Sequence, residues 1–410
     1  MKWNKRMTIN FTSAIIPTTV FILAIVMIVE SCGKKLQQVN PNQQTAQTFW
    51  KTPTDAYNAG NSVYGSLIMD GSYMRFTHVV LNTRGDDATS TSPFDQIYNC
   101  GKFALNVDGF CVQAPFQAFY QGIFRANQVL ENIPGITMDQ NLKNRIIGQT
   151  YFLRGLYLFH LASIYKNVPM PLTVAQSSAG YYVKQSPQDS VYLQAIADFQ
   201  KAVSLLPVTY AGVTGPDQGQ VGRATRGAAM AYLGKVYLFM KNYALAQAQF
   251  QNVIGLNAYS LVANYHDNFT DQVENNAESI FEVQFSRNVG GTQDGWGPGD
   301  PDGTWGKYEG RAVTFGARNF GFGDVQPTKA LYHEYLQEKT IDSVVDPRLY
   351  ATMFYNTPTM TVYGKSFQGV YGVADSEVFC RKYENDGFYP DEFTPAAFNS
   401  GINSRLMRYA

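Results

Sequence analysis

The chain has 410 residues, enough to bury a large core as one big domain or two. Its 32 basic and 32 acidic residues balance, so no global field recruits nucleic acid. Charged residues make up only 16% of the chain, against 27 Tyr and 27 Phe; this suits neutral polar ligands such as sugars, and equally a large loop-rich protein with no ligand.

At the N-terminus, Lys2, Lys5 and Arg6 precede an apolar run at residues 22–29 that ends on Ser31-Cys32. A basic start, a short apolar core and a small residue before the cut are the layout of a secretory signal, here residues 1–31. Pro17 and Thr18-Thr19 interrupt the apolar core, which is shorter than the ~20 residues of a spanning helix. Val29-Glu30-Ser31-Cys32 resembles a lipobox, in which Cys32 takes a lipid and becomes the mature N-terminus; the alternative is a plain cleaved signal with an incidental cysteine. Several acyl chains on one cysteine would anchor the protein firmly. Cys100, Cys111 and Cys380 then allow at most one internal bridge, with Cys100 and Cys111 closest in sequence, and no CxxC spacing suggests a redox motif or a thiolate zinc site.

Residues 32–47, rich in Gln and Asn, read as a tether. Ala56, Ala59, Val63 and Leu67 fall at helical spacing and predict a first short helix over 55–67. Residues 70–110 lose periodicity and predict a long loop. Helix returns at 115–133, stopped by Pro134-Gly135, and again at 141–166, where Gly148, Gly155 and Ala162 recur at seven-residue steps as they would against a closely packed partner. Residues 189–206 form a further helix before Pro207.

Residues 223–259 follow the tetratricopeptide pattern, with Met230 in the Trp place, Leu233, Gly234 and Tyr237 on one helix, and Ala246 and Phe250 on the next. Two antiparallel helices approach closely where small residues face large ones, although an ordinary amphipathic hairpin is the alternative. One such pair cannot bury its own apolar face, which predicts neighbours to stack on. Past Tyr259 the character changes: a strand over 278–287, Gly-rich loop with aromatics over 288–327, a short helix over 328–337, and strand-like runs at 351–355 and 361–363.

The segments Tyr120-Gln121-Gly122-Ile123-Phe124-Arg125-Ala126-Asn127, Phe152-Leu153-Arg154-Gly155-Leu156-Tyr157, Tyr165-Lys166-Asn167-Val168-Pro169, Gly222-Arg223-Ala224-Thr225-Arg226-Gly227, Glu278-Ser279-Ile280-Phe281-Glu282-Val283, Asp346-Pro347-Arg348 and the final Leu406-Met407-Arg408-Tyr409-Ala410 occur in an order that resembles the SusD/RagB family of nutrient-capturing outer-membrane lipoproteins. The resemblance implies a mainly α fold: a tetratricopeptide-like helical repeat scaffold with long loop-rich insertions and a few short strands. Its helical region would span residues 48–260 and its loop-rich region 261–410. It also implies a non-enzymatic, lipid-anchored protein of the outer membrane, facing the exterior, that binds a glycan and sits as a lid on a SusC-like TonB-dependent transporter, with no cofactor. The chain departs from the family by stopping where relatives open a further helix, so it is expected to be truncated at its C-terminus. It also lacks the acidic residues that often follow the lipidated cysteine in surface-exported relatives, having Gly33-Lys34-Lys35-Leu36 there.

Sugar recognition needs aromatic faces with hydrogen-bonding side chains beside them. One loop region offers Tyr73, Arg75, Asp86, Asp87, Phe94 and Tyr98, and a second offers Trp296, Asp300, Asp302, Trp305 and Tyr308. Loop packing is the alternative role for each aromatic taken singly. A calcium-loop echo around Gly303 has Pro298 where the first carboxylate belongs, so no metal site is read from it. No catalytic residue is assigned: the four histidines (78, 160, 266 and 333) are scattered, and no G-x-S-x-G or P-loop is present. The alternative function is a tetratricopeptide-type scaffold binding peptide or protein; a glycosidase using Asp86-Asp87 or Asp300/Asp302 is a third.

Overall fold

Capping residues and apolar stripes set the helices. The computed structural model describes residues 46–287, 307–373, 376–388, 392–393 and 400–410. Cys32 and nearly all of the tether lie outside these. Residues 1–51 and 52–410 are separate units, and the described part of the first is a helical turn at Ala46–Phe49. In the second, α1 (Pro53–Gly65) opens on a capping box: Thr52 Oγ1 accepts from the Asp55 N–H at 3.2 Å, and the Asp55 carboxylate accepts from the Thr52 N–H at 2.8 Å.

Residues 70–110 carry more structure than a loop. A π-helical turn (Asp70–Met74) leads into α2 (Phe76–Thr83), β1 (Ala88–Ser90) and α3 (Asp95–Gly101). Phe76, Val79 and Val80 form a buried stripe on α2. Its threonines, which read as loop residues, return their hydroxyls to the backbone: Thr83 to the Val79 carbonyl at 2.7 Å and Thr77 to the Gly71 carbonyl at 3.0 Å.

The two long helices are α4 (Phe110–Asn132) and α5 (Gln140–Tyr165). A short ladder of β2 (Val168–Pro169) and β3 (Gln185–Ser186) separates α5 from α6 (Gln188–Leu205). The tetratricopeptide-like pair follows as α7 (Arg226–Phe239) and α8 (Tyr243–Gly255), and its turn places Lys241 at φ +59°. Helix α5 is central, packing on α1, α4, α6 and α7, and its residues from Phe152 to Ala162 are all buried.

The small residues work as the pattern predicts. A Cβ on Gly234 would lie 2.8 Å from Phe250, closing the α7–α8 contact. Cβ atoms on Gly148 and Gly155 would come 2.9 Å from Leu205 and 3.1 Å from Phe199, so the partner of that face of α5 is α6. One on Gly122 of α4 would sit 2.3 Å from the Tyr157 ring. Buried charge ties the same helices: Arg154 donates to both Asp198 oxygens at 2.8 Å, and to Asn127 Oδ1 at 2.9 Å.

Beyond α8 the elements are short. They are β4 (Ser279–Val283), α9 (Arg311–Phe315), β5 (Val325–Pro327), α10 (Lys329–Gln337), α11 (Arg348–Thr352), β6 (Met353–Phe354), β7 (Thr361–Val362), β8 (Lys365–Ser366), α12 (Phe367–Tyr371), β9 (Phe379–Cys380) and β10 (Ser404–Arg408). Among the described residues each sheet has two antiparallel strands: β1 with β5, β4 with β10, β6 with β9, and β7 with β8, besides β2 with β3. Residues 404–408 are strand: Arg405 pairs with buried Glu282 at 2.7 Å across the β4–β10 ladder. The run at 351–355 is likewise strand only at Met353–Phe354, its first residues closing α11. The protein is mainly α, a helical scaffold with loop-rich additions and short strands.

Carboxylates are buried in the C-terminal part. Glu392 accepts from Tyr363 Oη at 2.6 Å and from the Asn385 N–H and Nδ2 at 2.9 Å, and burial pushes its pKa up to about 7. Burial, with Glu392 and Asp386 nearby, raises Glu384 well above the carboxylate range. His160, buried among Phe119, Phe159 and Tyr73, is instead pushed down to about 3.

Arg154→Ala strands the Asp198 charge among α4, α5 and α6, and urea denaturation is expected to read a loss of about 3–5 kcal/mol. A loss below about 1 kcal/mol would mean that the pair does not carry the helix packing. For pH, a glutamate ionises near 4.3 when unfolded, so the raised Glu392 contributes stability that is full at low pH and lost as pH climbs through its folded value. His160 opposes this below about pH 6.5, where only the unfolded chain takes up its proton. The expected melting temperature falls between about pH 6.5 and about pH 8, and Glu392→Gln lessens that fall. A variant whose profile tracks the parent across the interval would exclude this carboxyl as the cause.

Candidate functional site

Segments far apart in sequence meet at the β1–β5 ladder, where Ala88 lies opposite Pro327 and Ser90 opposite Val325. Loop bonds extend the seam. The Thr91 N–H donates to the Asp324 carbonyl at 3.0 Å, the Thr328 N–H to the Asp87 carbonyl at 2.8 Å, and Thr328 Oγ1 to the Asp86 carbonyl at 2.9 Å. Close by in the chain, the Gly310 N–H donates to the Met74 carbonyl at 3.2 Å. The first loop region singled out by composition is thus bonded to Gly310 and to residues 324–328, which follow the second in the chain.

Beside this seam lies a groove of 570 Å³ lined by Asp70, Arg75, Phe94, Ile97, Phe110 and Phe322 together with Pro93 and Asp324. Two ring faces stand at its edge: Phe94, the residue before α3, is 46% exposed, and Phe322 is 51% exposed. Its polar groups are buried. Arg75 stacks over Phe76 at 4.2 Å and donates through Nε and Nη2 to the two Asp70 oxygens at 2.8 and 2.7 Å, which neutralises both charges. Asp324 accepts a hydrogen bond from Ser92, and burial raises its pKa. A second hollow of 620 Å³, with Arg318, Lys329, Glu377, Gln326 and Thr91 in its lining, adjoins the first across Phe322. Apolar ring faces over a floor of paired charge and hydrogen-bonding oxygens can hold an uncharged polyhydroxylated molecule, the rings taking its C–H faces and the polar groups its hydroxyls.

Another hollow, of 320 Å³, runs beside Tyr210, Arg223, Tyr259 and Asn275. Its tyrosines are turned inward, Tyr210 donating to the Ala224 carbonyl at 3.0 Å, so it lacks an open ring platform.

Of the residues expected at a site, Arg75 and Phe94 line the groove. Tyr98 is 43% exposed on α3 with the Lys102 ammonium 5.5 Å from its ring centre. Asp86 is exposed, and its backbone carbonyl is held by Thr328. Tyr73 is not at the surface: it is 1% exposed, packed edge-on against His160 and Phe119, because the π-helical turn directs it into the core. Tyr308 lies among the described residues, next to Glu309, whose carboxylate is engaged by Arg311 at 3.0 Å. Trp296, Asp300, Asp302 and Trp305 lie outside the described residues, as does the turn of the calcium-loop echo. The groove residues that sequence reasoning missed are Asp70, Pro93, Ile97, Phe110, Phe322 and Asp324. The alternation Phe320-Gly321-Phe322-Gly323 was the one local signal that could have flagged an exposed ring.

A family model described as SusD-like, starch-binding associating with outer membrane, matches residues 80–238. SusD-like protein P2 of Formosa agariphila is 29% identical over 213 residues, covering 51% of this chain and 40% of that protein. SusD-like protein P25 of the same organism is 23% identical over 281 residues, covering 64% and 50%. The chain spans about half the length of these curated relatives or less. Among solved structures, a SusD superfamily protein from Bacteroides vulgatus superposes with a TM-score of 0.75 at 29% identity, over 88% of this chain and 74% of that one. A laminarin-binding SusD-like protein superposes with a TM-score of 0.69 at 26% identity, over 88% and 78%.

Proposed function

The chain is SusD-like in sequence and in fold, and from that premise we propose that it is a non-catalytic glycan-binding protein that holds its ligand in the groove between Phe94 and Phe322. The observation that carries the reading is the pair of half-exposed phenyl rings over the buried Arg75–Asp70 pair and Asp324. A similar protein is described as laminarin-binding, which makes soluble β-glucans the first ligands to try. Trp296, Asp300, Trp305 and Tyr308 are assigned to the same ligand, with Tyr98 and Asp86 as outer contacts. The assignment is supported by the Gly310–Met74 bond, which brings the chain leading out of that segment beside Arg75.

In this reading Cys32 carries the lipid, the protein faces outward from the outer membrane, and it closes as a lid over a SusC-like TonB-dependent transporter that supplies the energy for uptake. No cofactor takes part. The resemblance in sequence and the family model described as associating with outer membrane support this assembly.

Titration calorimetry against laminarin, starch and a panel of other soluble polysaccharides is expected to find one binding glycan. Phe94→Ala and Phe322→Ala should each weaken it about tenfold, roughly 1.4 kcal/mol per ring, while half-exposed positions leave the melting temperature nearly unchanged. Full affinity in both variants would remove the groove as the site, and binding of peptides instead of any glycan would favour the helical scaffold as the binding surface. Affinity purification from membranes of the native host should recover a TonB-dependent barrel; its consistent absence would end the lid reading.

A further inference from the structure

Three cysteines share one core cluster. Cys100 near the end of α3, Cys111 at the start of α4 and Cys380 on β9 pack with Phe76, Val79, Ile97 and Val325, all three as buried thiols. Within the cluster two sulfurs are hydrogen-bonded. Thr83 Oγ1 donates to Cys100 Sγ at 3.2 Å. The Cys111 S–H donates to the Gln96 carbonyl at 3.3 Å, and its side chain neighbours Cys100 in the same cluster. The same corner makes a wall of the groove, since Phe94 and Ile97 come from the start of α3 and Phe110 directly precedes Cys111.

We propose that Cys100 and Cys111 are joined by a disulfide when the chain folds in an oxidising compartment, and that the bridge fixes the α3–α4 corner as a rigid wall of the glycan groove. The bridge rests on the export signal, and its effect on the groove rests on the glycan reading above. In the folded core the neighbouring Cys111 and Thr83 lower the Cys100 thiol to about 7, while Cys111 is held up. Burial pushes Cys380 up to about 12, and it stays a thiol.

The oxidant is an exported dithiol–disulfide donor protein. One of the two thiolates attacks the donor disulfide and one donor sulfur leaves. The other cysteine then displaces the second. One S–S bond forms in this chain and one breaks in the donor, which carries off two electrons and two protons. Both sulfurs are sealed in the finished core, so the bridge forms as the chain folds. It is a structural staple, not a switch.

The full chain, purified in detergent from an exporting bacterial host, is denatured and alkylated with iodoacetamide before and after reduction, then digested for mass spectrometry. The expected result is Cys100 and Cys111 modified only after reduction, a linked peptide lighter by two hydrogens, and Cys380 modified in both samples. Reduction should also lower the melting temperature by roughly 4 °C. Cys100 and Cys111 both modified without reduction, or a bridge to Cys380, would overturn the proposal. None of these readouts involves sugar. Glycan affinity in the bridged and reduced forms is measured separately: weaker binding on reduction supports the rigid wall, and equal affinity removes that part while leaving the bridge.

Discussion

The guanidinium of Arg154 is the interaction on which the helical scaffold depends. It lies inside the protein, donating to both oxygens of Asp198 on α6 and to Asn127 on α4, so one side chain of the central helix holds both flanking helices in register. Burying such a pair costs desolvation on both sides, and a well-packed apolar replacement is often no less stable. What the pair supplies is geometry: its bonds are met in one arrangement of three helices. Arg145 and Asp217 repeat the device at the other end of α5, clamping the connection before α7. The glycines of α4 and α5 then let the helices close to ring contact, Gly122 on Tyr157 and Gly155 on Phe199.

That rigid block displays a site built mostly from outside it. Phe94 and Arg75 come from the connection between α1 and α4, and Phe322 and Asp324 from the connection between α9 and β5. The three-residue β1–β5 ladder and the Thr91 and Thr328 bonds carry the joint between them. Loops held by a few ladder bonds on a packed scaffold are where binding surfaces commonly sit, because they vary without disturbing the core.

The groove carries little net charge, which suits a neutral ligand. Arg75 and Asp70 cancel each other, and burial disfavours the charge of Asp324. Hydrogen-bonding capacity is retained with little net field, and the rings add apolar area that costs nothing to expose to a sugar face. A phosphate or carboxylate ligand would call for uncancelled cations on this floor, and the bidentate pair works against that.

Reading along the chain found the helices and the reason for their close contacts. The α7–α8 pair, the small residues of α5 facing α6, and the strand at β4 follow from periodicity and residue size, which act within a turn or two of helix or a few residues of strand. The same reasoning failed where structure depends on distant partners. Residues 76–83 looked like loop because their threonines satisfy the backbone internally and their apolar stripe is short. Tyr73 looked like a surface ring until the π-helical turn placed it in the core. Phe322 and Asp324 meet Phe94 and Arg75 only because β1 pairs with β5 across more than half the chain. Local spacing determined the scaffold of this protein. Its tertiary structure alone decided the groove, since strand pairing across such a distance leaves no period in the sequence to read.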